Sequence, residues 1–117
     1  MQKRTAEEQA RVAQEAALAD FQTGRVAKEF TAKCLERRIF DKEIERGLKS
    51  RSSGVWRYTH LGQPRYGFWH PHTQVLIAWR PREEGFQSEL KTCFRESDGL
   101  RYMERQEGVV LLRRPKR

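Results

Sequence analysis

Gly54-Val55-Trp56-Arg57-Tyr58 is where this chain changes period. Before it, apolar residues recur at helical spacing; after it they alternate. On a strand, Val55 and Arg57 fall to one face and Trp56 and Tyr58 to the other, because successive side chains point to opposite sides. Arg65-Tyr66-Gly67-Phe68-Trp69, Val75-Leu76-Ile77-Ala78-Trp79, Leu90-Lys91-Thr92-Cys93-Phe94 and Val109-Val110-Leu111-Leu112 continue the pattern, each bounded by Gly, Pro, His or Thr. Short strands with short loops predict an antiparallel meander. Pro71-His72-Thr73 reads as a hairpin tip and Pro81 to Gly85 as a longer charged loop. Residues 98–106 read as a turn and short helix at the sheet edge.

Upstream, Thr5-Ala6-Glu7-Glu8 reads as a capping box, a Thr N-cap with Glu three residues on. The helix it starts runs to about Phe21 and shows a thin apolar face of Val12, Ala16 and Leu18. That face suits light packing or a connector. Thr23-Gly24 ends it. In residues 25–48, Val26, Phe30, Phe40, Ile44 and Leu48 share a helical face, but so do Lys33 and Arg37. Either the helix breaks near 31–38, the preferred reading, or two cations point to a functional surface. Helices followed by strands define an α+β class, with N-terminal helices packed on a four- to five-stranded antiparallel sheet. The expectation is one domain over 1–117, with a helix in 1–22 and the α+β core in 23–117.

The chain has 117 residues, 37% hydrophobic and 34% charged, so its core must be modest and its surface highly charged. The net charge is +8. Residues 1–50 hold 11 Lys and Arg against 9 Asp and Glu; residues 51–117 hold 13 against 7, and 11 of those 13 are Arg. The excess cations therefore sit with the strands. Arg makes planar, bidentate contacts with phosphate and stacks on bases, which favours a nucleic-acid partner.

Cys34 and Cys93 form no metal motif and read as two buried free thiols, with a disulfide as the alternative. His60, His70 and His72 lack the convergent ligand set that zinc needs, so no metal and no cofactor is expected. No apolar run approaches membrane-spanning length, and the expected compartment is the cytoplasm, including that of a target cell into which a larger protein delivers the domain.

RNA can be cut without metal. A base takes the 2′-hydroxyl proton, the 2′-oxygen attacks phosphorus, cations hold the developing charge and an acid protonates the leaving oxygen. His60 and His70 suit the acid–base work, since imidazole titrates near neutrality. Thr92, between Leu90 and Phe94, is either a packed hydroxyl or one aimed at a phosphate. Alternation places it with Leu90 and Phe94 on the core-facing side. Tyr102 offers a second hydroxyl. Arg57, Lys91, Arg95 and Arg101 are candidate nucleic-acid contacts. Trp69 is a candidate stacking platform, because Arg65 and Gly67 share its face and Gly leaves room.

From about Phe21 to Gln106 the chain resembles the barnase–EndoU–colicin–RelE group of RNases, in particular the small toxin domains at the C-termini of contact-dependent and polymorphic bacterial toxins. Phe68-Trp69-His70-Pro71-His72-Thr73-Gln74-Val75-Leu76-Ile77-Ala78-Trp79 looks like one of their strand pairs. Lys91-Thr92-Cys93-Phe94-Arg95, then Gly99-Leu100-Arg101-Tyr102, looks like the Thr strand and Gly-x-x-Tyr that follow. The resemblance implies site roles for Thr92, Tyr102 and Arg65. It also implies a structured RNA substrate, tRNA above all, and an acidic immunity or antitoxin partner. Two features depart from the pattern: no His precedes His60, and no Pro follows the Thr strand. Acid–base work then falls to His60, His70, Arg25 or Lys28. The alternatives are a non-catalytic RNA- or DNA-binding domain and a basic protein-interaction adaptor.

Overall fold

The computed structural model describes residues 4–116. In chain order it has α1 (Ala6–Gln22), α2 (Phe30–Glu36), α3 (Asp41–Lys49), β1 (Gly54–His60), β2 (Gln63–Trp69), β3 (Val75–Arg80), β4 (Glu89–Arg95), α4 (Gly99–Glu104) and β5 (Glu107–Arg113). The strands form one five-stranded sheet in the order β4-β3-β2-β1-β5, with every neighbouring pair antiparallel. This is the α+β arrangement read from the sequence. Among the described residues, no helix is long and apolar enough to cross a membrane.

Helix α1 begins where its cap predicts, with the Glu8 N–H donating to Thr5 Oγ1 at 3.1 Å. Its buried face differs from the expected one: Ala10, Ala13, Gln14, Ala17 and Asp20 turn inward. Three alanines let the helix approach closely. Two polar residues then anchor it, Asp20 accepting from the Trp79 indole at 2.8 Å and Gln14 donating to Gly47 O at 3.1 Å. The connector alternative is thereby set aside. The break in the second helical region falls at 37–40, where Arg38 takes a positive φ of 54°.

Helices α1–α3 cover one sheet face, in a core built on Phe30, Ile44, Leu48, Val55, Phe68, Ile77 and Leu90. The opposite face carries a smaller cluster of Trp56, Tyr58, Trp69, Leu76 and Met103. Helix α4 supplies Met103. Strands β4 and β5 occupy opposite edges of the sheet, so the chain between them must cross it. Helix α4 does so over β2 rather than lying at the edge, which corrects the sequence expectation. Segment 25–27 and the end of α2 cover the β4 edge: Ala27 N donates to Leu90 O at 2.7 Å, and Arg37 Nη1 to Cys93 O at 2.6 Å. An edge strand left open is a template for aggregation, and this one is partly closed.

Candidate functional site

Strict alternation along β4 would put Thr92 beside Leu90. The pairing shows otherwise. Ala78 lies opposite Thr92 and Trp79 opposite Leu90, so Lys91 is an extra residue. A bulge of this kind re-aims the side chains that follow it. Leu90 and Cys93 face the helices, while Thr92 and Phe94 face α4. The core-side placement of Thr92 is thus corrected, and the bulge is the reason.

On the α4 side, the part of the sheet that α4 leaves uncovered is a cleft of about 210 Å³. Strands β1 and β2 contribute Tyr58, His60 and Arg65; β3 contributes Leu76 and Ala78; β4 contributes Lys91, Thr92 and Phe94; α4 and its exit contribute Tyr102 and Gln106. The lining holds two cations and no carboxylate. Two larger clefts, of about 480 and 750 Å³, lie among the helices and are lined by Asp41 with Glu45 or by Asp41 and Glu43 with Lys42, an acidic balance that does not suit a polyanion. A third, of about 250 Å³, holds Arg11, Lys49, Arg51 and Arg113 with Glu15, but Arg11 is paired with Glu15, Lys49 with Glu45 and Arg113 with Glu7.

Arg65 is the centre of the cleft's electrostatics. It is 7% exposed, yet its Nη1 bonds only neutral acceptors, Gln63 Oε1 at 3.2 Å and Pro64 O at 3.4 Å. Among the described residues no carboxylate pairs with it. Burial pulls its pKa down, and Tyr58 opposes that shift. Burial likewise raises the Tyr58 pKa to about 12, with Arg65 opposing. A buried guanidinium without a counterion is costly unless an anion completes it. Lys91 stands at the rim, 2.9 Å from Glu89.

Thr92 and Tyr102 reach the same cleft from different elements. Thr92 Oγ1 accepts from Arg37 Nη1 at 3.4 Å, which leaves its proton free to donate. The Tyr102 ring packs edge-on against Phe94 with centroids 5.2 Å apart. Its hydroxyl has no hydrogen-bond partner among the described residues. Two close approaches hold α4 in place. A Cβ on Gly99 would stand 2.2 Å from the Trp69 ring, and one on Gly67 would stand 2.9 Å from Met103 Cε.

The remaining candidates lie elsewhere. His70 is 2% exposed in the β2–β3 turn, where Nδ1 accepts from the His72 N–H at 3.2 Å and from the Thr73 N–H at 3.5 Å. It organises the turn. Trp69 is buried, its indole donating to Glu96 O at 2.7 Å, so its ring offers no stacking face. Arg95 is bound by Glu43 at 2.8 Å on the helix side. Arg57 is exposed on that same side and reaches Gln9. Arg101 is exposed on α4. Arg25 and Lys28 are exposed and outside the cleft lining. The sequence reading missed Tyr58, Gln106 and Arg37 as site residues. Only Arg37 left a signal, as a cation on an apolar helical face. Among the described residues, no three of His, Cys, Asp and Glu converge as a metal site would need.

No family model matches the chain, and no curated protein or solved structure matches it.

Proposed function

We propose that this protein is a metal-independent endoribonuclease that binds a phosphodiester at Arg65 and cleaves it in the α4-side cleft. The observation that carries the reading is Arg65, buried and with no carboxylate paired to it among the described residues, in one cleft with Lys91, Thr92, Tyr102 and His60. The reading assigns the parts as follows. His60 takes the proton of the 2′-hydroxyl. The 2′-oxygen bonds to phosphorus, the bond to the 5′-oxygen breaks and the departing oxygen takes a proton from water, leaving a 2′,3′-cyclic phosphate and a 5′-hydroxyl. Arg65 and Lys91 hold the charge that builds on the non-bridging oxygens, and the hydroxyls of Thr92 and Tyr102 donate to them.

Structured RNA, with tRNA first, is the substrate class that the toxin resemblance supports. An acidic immunity protein covering the cleft is the partner it supports. The test is incubation of pure protein with total RNA in EDTA, followed by end-group analysis. Discrete fragments with cyclic phosphate ends are expected. Binding without cleavage contradicts the nuclease and leaves a nucleic-acid-binding domain; neither binding nor cleavage leaves a protein adaptor.

A further inference from the structure

We propose that Cys34 and Cys93 form a reversible disulfide that clamps α2 to β4 beside the cleft. The two sulfurs stand 2.7 Å apart, although 59 residues separate them in sequence. A covalent S–S bond is about 2.05 Å, so closure needs a movement of only ~0.7 Å. The surrounding hydrogen bonds already fix both residues. Ile39 N donates to Cys34 O at 2.9 Å, and Arg37 Nη1 donates to Cys93 O at 2.6 Å.

The two thiols differ in access and in chemistry. Cys93 is fully buried, whereas Cys34 is half-buried and lines both helix-side clefts. An oxidant therefore meets Cys34 first. The hydrogen bond with Cys93 lowers the Cys34 pKa; burial and Asp41 oppose that, and Arg37 adds to it. The same hydrogen bond and burial push the Cys93 pKa up. Cys34 is thus the attacking sulfur and Cys93 the resolving one.

With oxidised glutathione as the oxidant, the Cys34 thiolate attacks one glutathione sulfur and a glutathione thiolate leaves. Cys93 then gives up its proton and attacks Cys34 Sγ, and the second glutathione leaves. Two protein thiols are oxidised and one glutathione disulfide is reduced to two thiols. The closed ring contains β1, β2 and β3, so the bond restricts the unfolded chain strongly. It also fixes the helix end that carries Arg37, the residue touching Thr92 and the Cys93 carbonyl. This inference does not depend on the ribonuclease reading.

The test treats the full chain with oxidised glutathione and with dithiothreitol. Mass spectrometry of the oxidised monomer should show a loss of about 2 Da and no free thiol. Its Tm should rise by about 5–15 °C and return on reduction. Cys34→Ser, at the more exposed position, should fold and lose the oxidant response. Two free thiols after oxidation, arrest at the glutathione adduct, a link to a second copy, or an unchanged response in Cys34→Ser would each overturn the proposal.

Discussion

Arg65 shows how one residue couples stability to binding. Its guanidinium is 7% exposed and bonds only a side-chain amide oxygen and a carbonyl. Replacing a buried charge that lacks a full partner with an apolar side chain of similar length commonly stabilises a fold. Arg65→Met should therefore raise stability by about 1 kcal/mol while weakening RNA binding at least tenfold. Urea denaturation and filter binding measure the two effects, and a destabilised Arg65→Met that binds normally contradicts the role given to Arg65. His70 carries the opposite lesson. Burial first, then Arg46 and His72, lowers its pKa, so the folded state holds fewer protons than the unfolded chain when pH falls below the ordinary imidazole value. Its contribution to stability is complete above about pH 6.5 and is lost as pH drops from there toward its folded pKa. His70→Ala should cost about 2–3 kcal/mol at pH 7.5. His70→Asn keeps an acceptor for the turn and should flatten the pH dependence below about pH 6.5. Stability profiles by urea denaturation at several pH values distinguish the two variants, and an unchanged slope in His70→Asn rules out this source.

At the scale of elements, the legibility of the sequence varied strand by strand. Alternation in β1 and β2 groups Trp56 with Tyr58, and Arg65 with Gly67 and Trp69; the structure keeps both groupings and puts both on the α4 side. It fails in β4, because the bulge at Lys91 shifts the phase by one residue and nothing in Leu90-Lys91-Thr92 announces it. The outcome for function is large: Thr92 moves from the helix side to the face shared with Tyr102. Helix α4 was legible as a short helix but not as a crossing. Strand order alone decides that, and strand order is a long-range property. The face of α1 was misjudged because alanines and a paired Asp20 form it, not large apolar residues. Gly99 tests the placement of α4. A methyl there meets the Trp69 ring at 2.2 Å, against a rigid side chain fixed by its bond to Glu96 O. Gly99→Ala should cost about 2–3 kcal/mol and lower cleavage by displacing Tyr102. A thermal melt and an activity assay on the same sample report both, and wild-type values in both would mean that α4 sits elsewhere.

For the whole molecule, the asymmetry of charge is the property that composition disclosed and the fold explains. Residues 51–117 build the sheet and α4, and they carry 13 of the 24 cations against 7 of the 16 carboxylates. Several of those cations are spent on structure, Arg113 on Glu7 at 2.7 Å and Arg80 on Glu89 at 3.3 Å. Charge alone therefore could not say which of them line a site: of the candidate contacts Arg57, Lys91, Arg95 and Arg101, only Lys91 lines the cleft, beside Arg65, which the resemblance had singled out. Binding to single-stranded RNA releases counterions with a log–log slope of about −0.7 per neutralised phosphate. Contact with three or more phosphates predicts a slope steeper than about −2, measured by titration across salt concentrations. Affinity independent of salt would exclude a phosphate-dominated interface.

The ribonuclease reading stands or falls on the two hydroxyls that the fold brings together from β4 and α4. The direct measurement is the initial rate of RNA cleavage in EDTA by the parent protein, Thr92→Ala and Tyr102→Phe, each verified as folded by circular dichroism and by its melting temperature. Loss of one hydrogen bond to the transition state commonly lowers the rate by about 10²–10³. Each variant is expected to fall in that range while keeping most of its RNA affinity. Folded variants that cut at the parental rate, or a parent protein that cuts no RNA at all, would contradict the account.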